Sequence, residues 1–235
     1  MNKTKTAINS YDHLSDPRIE ALAEDLTKRL KFLNPEATSG LDIGCQYGQI
    51  TERIQMNTGI TFVGLEPNIK DVTVLSRYVK IIQGYANELP FTDSTFDFVL
   101  MISVLEHIQP NELKDSLSEV HRVLKYDGFL LIQIPNMNFP IEVHSHLPFQ
   151  QFLPTTLGDK YLSIFSHGRY KKSEWYRTSP KKIISLASQV GLSLVNLERF
   201  QYPKSVFPKK FLYFYPILKI IPLDFILTFK RDSVR

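Results

Sequence analysis

Short, almost continuous apolar runs alternate along this chain with segments of helical periodicity, and this alternation restricts the fold more than any other feature. The clearest run is Phe96–Ile102, which predicts a strand buried on both faces, as in a parallel sheet. Residues 17–33 place apolar side chains at spacings of three and four, which is typical of an amphipathic helix. Strands that alternate with helices in this way predict βαβ units around a parallel sheet.

The same criteria locate the remaining elements. Besides residues 96–102, strands are predicted at 40–43, 60–65, 79–83, 129–134, 192–199 and 225–230. Besides residues 17–33, helices are predicted at 49–57, 69–79, 111–124 and 180–190.

Two stretches interrupt the alternation. Residues 136–178 and 203–222 contain many aromatic or apolar residues and prolines without the period of a sheet unit, so we interpret them as inserts. A length of 235 residues fits one domain. We therefore predict a single domain over residues 1–235, with its core at about 38–136 and 179–235.

The composition excludes several kinds of protein. The one cysteine, Cys45, excludes an intrachain disulfide framework and a cysteine-based zinc site. The sequence shows neither the apolar stretch of a signal peptide nor a run of about eighteen apolar residues, so we expect a cytoplasmic protein. The net charge of +4 fits an anionic partner, but no block of lysine and arginine indicates nucleic acid.

A glycine-containing loop follows the strand predicted at 40–43. Asp42 and Gly44 stand at the end of that strand, and Gly48 precedes the next helix. Glycine lets the backbone approach a ligand closely, and a helix N-terminus offers free N–H groups. Glu66 ends the following strand, 22 residues after Gly44, where an acid can accept hydrogen bonds from both ribose hydroxyls of an adenosine ligand. Taken separately, the two features also fit a structural turn and an exposed strand-end carboxylate.

Residues 41–48, Leu-Asp-Ile-Gly-Cys-Gln-Tyr-Gly, resemble motif I of the class I S-adenosylmethionine-dependent methyltransferases, whose pattern is Asp-x-Gly-x-Gly-x-Gly. Asp42, Gly44 and Gly48 match that pattern. In the family, the acid and the loop hold the methionine end of the cofactor. The resemblance therefore implies this role for Asp42 and Gly44.

Three further blocks resemble the methyltransferase type 11 subfamily. Residues 84–91 resemble the block that meets the adenine, residues 96–99 with 104–107 the fourth-strand motif beside the transferred methyl group, and residues 122–128 the turn that enters strand five. The ordered set covers about residues 38–136. It implies an α/β fold, a Rossmann-like three-layer sandwich with a seven-stranded, mostly parallel sheet whose last strand is antiparallel, and an insert on the substrate side.

The resemblance implies S-adenosyl-L-methionine as the cofactor. Two positions depart from the family pattern, because Gln46 replaces the middle glycine and Tyr85 replaces the acid that bonds the adenine amino group. These departures leave open a non-catalytic relative that only binds the cofactor. We expect Cys45 to be a small buried side chain and not a nucleophile. The residues assigned to the cofactor are Asp42, Gly44, Cys45, Gly48, Glu66, Pro67, Tyr85, Ala86 and Ser103.

Three histidines are candidates for a base beside an oxygen nucleophile. His107 follows the fourth strand at the sheet edge where ligands bind. His144 and His146 lie in the first insert, and their period-two spacing places both on one side of an extended segment. Packing of His107, ordinary loop structure in the insert, and a metal site that includes Glu142 are the alternatives; we predict no metal.

Residues 102–105, Ile-Ser-Val-Leu, restrict the kinds of methyl acceptor that we expect. They stand where amine and amide methyltransferases commonly carry an Asn/Asp-Pro-Pro-Tyr/Phe clamp, and they offer no cysteine for cytosine C5 chemistry. We therefore predict methyl transfer to an oxygen of a small metabolite, a sugar or a lipid-linked acceptor. RNA or another macromolecule is the alternative acceptor. A nicotinamide oxidoreductase fits poorly, because neither position 46 nor position 47 is glycine.

The apolar segment 207–229 has two interpretations. It fits a helical insert that covers the sheet or the substrate pocket. Its lysines and apolar side chains also fit an interfacial segment on an anionic membrane, which would favour a lipid-linked acceptor.

Overall fold

Seven strands form one sheet at the centre of the fold. The computed structural model describes residues 17–69, 76–139, 147–165, 175–206 and 221–232. The sheet has the strand order β3-β2-β1-β4-β5-β7-β6. The strands are β1 (Ser39–Ile43), β2 (Thr61–Glu66), β3 (Lys80–Gln83), β4 (Phe96–Ile102), β5 (Leu124–Pro135), β6 (Leu192–Phe200) and β7 (Asp224–Arg231).

Helices cover both faces of the sheet. On one face, Leu26 and Ile54 pack with Phe62 and Phe98 in a buried cluster. On the other, the helices that follow β4 and precede β6 pack against the sheet around Ile132. The helices are α1 (Pro17–Leu33), α2 (Gln49–Thr58), α3 (Leu113–Val123), α4 (Thr155–Phe165) and α5 (Pro180–Gln189). Among the described residues, none of the helices has the length and apolar character needed to cross a bilayer.

The direction of the strands confirms the predicted Rossmann-like sandwich. β1 pairs in parallel with β2 and β4, while β3 and β5 extend the parallel sheet outward. β7 is antiparallel to both β5 and β6. The strand order reverses beside β1, so the carboxyl ends of β1, β2 and β4 meet at the edge where ligands bind in such sheets.

Two predicted elements have different limits in the structure. The helix predicted at 69–79 does not reach Ser76–Val79, because the Ser76 hydroxyl accepts hydrogen bonds from the Tyr78 and Val79 N–H groups, both at 3.1 Å, in place of helical bonds. Residues 70–75 of that prediction lie outside the described residues. β5 begins at Leu124 instead of residue 129, and an irregularity in its pairing with β4 absorbs the extra residues.

The first insert contains a helix that the sequence patterns did not predict. α4 spans Thr155–Phe165, directly after Leu153-Pro154. Its amino end is closed by a hydrogen bond from the Gly158 N–H to the Pro154 carbonyl at 2.8 Å. Residues 140–146, 166–174 and 207–220 of the two inserts lie outside the described residues.

Candidate cofactor site and active site

The loop between β1 and α2 is held against the end of β2 by backbone hydrogen bonds. The Gly44 and Cys45 N–H groups both donate to the Leu65 carbonyl, at 2.7 and 3.3 Å. Gly44, Gln46 and Gly48 have φ values of 72°, 51° and 75°. Three left-handed residues within five positions fold the chain back tightly, so that backbone lines the crevice at the sheet edge. Gln46 accepts this conformation even though it has a side chain.

Close contact with the loop after β4 also requires glycine at position 44. A Cβ atom on Gly44 would lie 2.5 Å from Cγ2 of Val104. The absence of a side chain therefore lets the β1 and β4 loops approach each other at the point where their strands end. This contact brings motif I next to the residues that precede His107.

Asp42 is a buried carboxylate at the end of β1. Its side chain accepts a short hydrogen bond from the hydroxyl of Thr51, which lies on the buried face of α2. Burial raises the pKa of Asp42 to about 7; the Thr51 bond lowers it and the nearby charge of Glu66 raises it further. A buried carboxylate lacks solvation by water. It is therefore well suited to attract a cationic ligand group, which would stabilise its charge in place of water.

Glu66 connects the loops that follow β1 and β2. Its Oε2 accepts a hydrogen bond from the Gln46 N–H at 3.1 Å, and its Oε1 accepts one from the Asn68 N–H at 3.0 Å. Each carboxylate oxygen can accept more than one hydrogen bond. The carboxylate is therefore fixed in orientation and can still accept the two hydroxyls of a ribose.

Cys45 lies in the loop as a half-buried thiol, and so is less enclosed than predicted. Its Sγ occupies the space above Gly64, where an added Cβ would lie 2.5 Å from the sulfur. Burial, then the charges of Asp42 and Glu66, raise the pKa of the thiol. The raised pKa favours the protonated thiol, and the side chain packs the loop against β2.

The loop after β3 carries the residues predicted to meet the adenine. Tyr85 is 63% exposed, and its carbonyl accepts a hydrogen bond from the Glu88 N–H at 3.2 Å. Ala86 is half-buried against the core. Pro67 faces this region from the end of β2, where its carbonyl accepts a hydrogen bond from the Gln83 side chain at 3.0 Å. This bond and the one from the Gly84 N–H to the Glu66 carbonyl join the end of β2 to the segment that leads into Tyr85 and Ala86.

Ser103 ends β4 in a left-handed conformation, with φ of 54°. Its N–H donates to the Gln133 carbonyl at 3.0 Å, and its hydroxyl donates to the Gln133 side-chain oxygen at 2.7 Å. The side chain is thus turned toward β5 and fixes the bend after β4. Its contribution to a cofactor site would come from this bend.

His107 is exposed at the end of a short helical turn, Leu105–His107, that follows β4. The end of the first insert returns to this turn, because the Tyr176 N–H donates to the Glu106 carbonyl at 2.7 Å. His107 therefore lies beside the insert at the ligand edge of the sheet. Glu142, His144 and His146 lie outside the described residues. In the part of the chain that the structure describes, no three acidic, histidine or cysteine side chains form a metal site.

Thr51, Glu119 and Arg122 take part in the site's framework without having been assigned to it. The signal for Thr51 was a polar residue on the apolar face of a helix that begins beside the glycine loop. Arg122 was part of a recognised motif, but its contact with the loop after β3 joins residues about 30 positions apart. Such contacts are set by tertiary packing and leave no local pattern.

Comparison with known proteins finds similarity to methyltransferases. The model of the methyltransferase domain family matches residues 41–132. A malonyl-[acyl-carrier protein] O-methyltransferase of Coxiella burnetii is 30% identical over 140 residues, which are 59% of this chain and 48% of that protein. An uncharacterized protein of Methanocaldococcus jannaschii is 28% identical over 189 residues, 78% of this chain and 79% of that one.

Solved structures agree on the fold. The crystal structure of a SAM-dependent methyltransferase from Archaeoglobus fulgidus aligns with a TM-score of 0.58 and 20% identity, over 94% of this chain and 100% of that chain. The fold, the motif set and these relatives define a class I S-adenosylmethionine-dependent methyltransferase. Over residues 41–132, fewer than half of its length, the chain is similar to the type 11 family of these enzymes. It spans about half the length of the Coxiella burnetii relative.

Proposed function

We propose that this methyltransferase transfers the methyl group of S-adenosylmethionine to an oxygen atom of a small metabolite, a sugar or a lipid-linked acceptor. The observation that carries the cofactor placement is the hydrogen bond from the Gln46 N–H to the Glu66 carboxylate, at 3.1 Å. It joins the loop proposed for the methionine end to the carboxylate proposed for the ribose.

The donor and acceptor groups of the crevice fit the proposed cofactor. A buried carboxylate, Asp42, stands at one end and a fixed carboxylate, Glu66, at the other. The cofactor is cationic at its ammonium and sulfonium groups and carries a ribose diol, so both carboxylates have a suitable partner. Left-handed backbone at Gly44 and Gly48 lets the loop approach it closely.

The chain's own residues supply orientation more than reactivity. The cofactor, when bound, supplies an activated methyl group, and displacement at that group needs the acceptor oxygen in line with the sulfur. His107 is exposed on the turn after β4 and can accept the proton that an acceptor hydroxyl loses. His144 and His146 remain candidates for the same role from the insert.

Three observations support oxygen as the acceptor atom. The Coxiella burnetii relative is named as an O-methyltransferase. Residues 102–105 form the strand end and the bend at Ser103, and they lack the side chains of an amine-methylating clamp. The raised pKa of Cys45 keeps the thiol protonated, which disfavours a cysteine-dependent carbon methylation.

Exposed apolar side chains on the first insert support an acceptor with an apolar part. Phe149, Phe152 and Leu157 are 61%, 50% and 53% exposed on the insert that follows β5. The same insert contacts the turn that carries His107, through Tyr176. A lipid-linked acceptor could lie along these side chains while its hydroxyl reaches the site.

The test has two stages. Calorimetry first measures binding of S-adenosylhomocysteine to the full chain. Formation of S-adenosylhomocysteine from S-adenosylmethionine is then measured with free sugars, with lipid extracts and with RNA as acceptors. Turnover with the first two supports the proposal. Turnover with RNA alone, or cofactor binding without turnover on any acceptor, contradicts it.

The role of His107 is tested with the acceptor that is found. His107→Gln is expected to lower kcat by about 100-fold or more while the affinity for S-adenosylhomocysteine stays unchanged. His121→Gln is the matched control, because His121 lies at the other end of α3, against Gly191, away from the ligand edge. Equal rates for both variants would remove His107 from the reaction.

A further inference from the structure

An arginine and a glutamate on α3 hold the loop between β3 and β4, residues 84–95. Arg122 donates to both carboxylate oxygens of Glu119, each at 2.8 Å. It also donates to the carbonyls of Phe91 and Leu89, at 2.7 and 3.0 Å, and to the Asp93 carboxylate at 2.8 Å. One side chain thus makes charge-assisted bonds to three positions of the loop.

Glu119 completes the arrangement from the same helix face. Its Oε2 accepts a hydrogen bond from the Leu89 N–H at 2.8 Å, so both backbone groups of Leu89 are bound to the ion pair. The bonds from Arg122, first of all, hold the pKa of Glu119 below its ordinary value. The pair is therefore charged throughout the neutral pH range, and we refer to Arg122 and Glu119 as the loop clamp.

The loop clamp holds residues 89–93, the part of the loop that follows Tyr85 and Ala86. The end of the loop is also held by backbone bonds, from the Ser94 and Thr95 N–H groups to the carbonyls of Arg122 and Val123, at 2.9 and 2.8 Å. Leu89 lies four residues after Tyr85 and is 4% exposed. Loss of the clamp would therefore release residues 85–91 while residues 94–95 remain attached.

The first residue of the loop is already connected to the ribose side of the site. The Gly84 N–H donates to the Glu66 carbonyl at 3.4 Å. Residues 85–88 therefore lie between two attached positions, Gly84 and Leu89. They form a tight turn in which the Glu88 N–H donates to the Tyr85 carbonyl. The positions of Tyr85 and Ala86 follow from these two attachments.

We propose that Arg122 and Glu119 are positioning residues that hold the β3–β4 loop in the conformation in which Tyr85 and Ala86 receive the adenine of the cofactor. This inference rests on the proposed placement of the adenine against that loop. Both clamp residues act through the loop, to which their side chains are bonded. Their effect is to fix the loop before binding, because each residue that must become ordered on binding weakens affinity.

The test combines calorimetry with hydrogen exchange on the full chain. Arg122→Ala is expected to weaken S-adenosylhomocysteine binding by about tenfold or more. In the unbound variant, amides of residues 85–91 should exchange faster, and the ligand should restore their protection. Arg122→Lys keeps the charge but not the bidentate geometry of the guanidinium group. The affinity of this variant for S-adenosylhomocysteine should therefore lie between those of the wild type and Arg122→Ala.

Two further variants keep the test decisive. Glu119→Gln retains an acceptor for the Leu89 N–H and is the milder variant if Arg122→Ala does not fold. Lys125→Met is the matched control for stability. Lys125 also forms an ion pair, with Asp97 at 3.0 Å, but this pair joins β5 to β4, whereas the loop clamp bonds Leu89 and Phe91. It should lower Tm but leave the affinity within roughly twofold of the wild type.

Tyr85→Ala separates the two hypotheses. Weakened binding in Tyr85→Ala together with Arg122→Ala supports the clamp. Weakened binding in Tyr85→Ala with unchanged binding and exchange in the folded Arg122→Ala protein overturns the clamp and leaves the adenine placement. Unchanged binding in both variants overturns the placement as well.

Discussion

The hydroxyl of Thr51 donates a hydrogen bond to the carboxylate of Asp42, which is 3% exposed at the carboxyl end of β1. This contact joins the first strand of motif I to the helix that follows the glycine loop. The pKa of Asp42 is raised to about 7, chiefly by burial. Several measurable properties of the protein depend on that group.

Cofactor affinity should rise with pH through neutrality. Below pH 7 Asp42 is increasingly protonated in the unbound protein, and a neutral carboxyl attracts a cationic ligand less strongly. As pH is raised toward 7, Kd for S-adenosylmethionine should therefore fall by up to about tenfold per pH unit. Above pH 7 it should level off. Calorimetry between about pH 5.5 and 8.5 measures this change.

Asp42→Asn is the matched control. Its Kd should be higher at pH 8 and nearly independent of pH. The free energy of unfolding supplies a second readout: the folded protein keeps a proton that the unfolded chain releases between pH 3.8 and about 7, so this group lowers stability as pH rises across that interval. A wild-type Kd without pH dependence would contradict the raised pKa.

Glu66 should contribute to binding through its charge and to loop structure through its acceptor oxygens. Glu66→Gln keeps one acceptor oxygen, enough for either the Gln46 or the Asn68 N–H group, and loses the charge, so Kd for S-adenosylhomocysteine should rise by about tenfold. Glu66→Ala loses both contributions and should raise Kd by about 100-fold or more. Circular dichroism checks that both variants fold; equal Kd values for the two would show that the charge alone matters.

Gly44 should tolerate a side chain much less well than Gly59, although both are left-handed, with φ of 72° and 79°. Alanine costs about 1–2 kcal/mol in that conformation. At Gly59 an added Cβ meets no atom within 4 Å, whereas at Gly44 it lies 2.5 Å from Val104. Urea unfolding should show a loss about 1–3 kcal/mol larger for Gly44→Ala, and calorimetry should show weakened binding for this variant alone.

The sequence predicted the central strands of the sheet well because they are buried on both faces. β4 has the predicted limits Phe96–Ile102, and α1 has the predicted limits Pro17–Leu33. In both, the apolar pattern and the tertiary environment favour the same structure. The glycine loop and Glu66 were predicted to serve one ligand, and they are in contact because β1 and β2 are adjacent in the sheet.

The framework of the site could not be predicted, because it depends on long-range contacts of ordinary polar residues. Nothing local indicates that Arg122 reaches Leu89, or that Ser103 turns its hydroxyl to Gln133. Ser76 competed with the helix predicted around it through its own side chain. Periodicity describes burial, and it carries no information on these pairings.

Asp97 shows that a motif residue can have a structural role far from the ligand edge. It stands near the start of β4, where its Oδ2 accepts hydrogen bonds from the Thr38 and Ser39 N–H groups, each at 3.0 Å. Lys125 donates to both of its oxygens, also at 3.0 Å. Burial alone would raise the pKa of Asp97, but the bonds from Lys125, Thr38 and Ser39 outweigh it and leave the pKa below its ordinary value.

Asp97→Asn should therefore lower the free energy of unfolding by about 1–3 kcal/mol at neutral pH without changing cofactor affinity. Because the pKa is lowered by folding, this stability is present above pH 3.8 and is lost as pH falls through the folded-state value. Asp127→Asn is the control: Asp127 pairs with Lys230 at 2.7 Å but its side chain is 67% exposed, so its loss should cost less than about 1 kcal/mol. Urea unfolding at pH 7 and pH 3.5 compares the two variants. A weakened affinity for S-adenosylhomocysteine in a folded Asp97→Asn protein would instead return this residue to the active site.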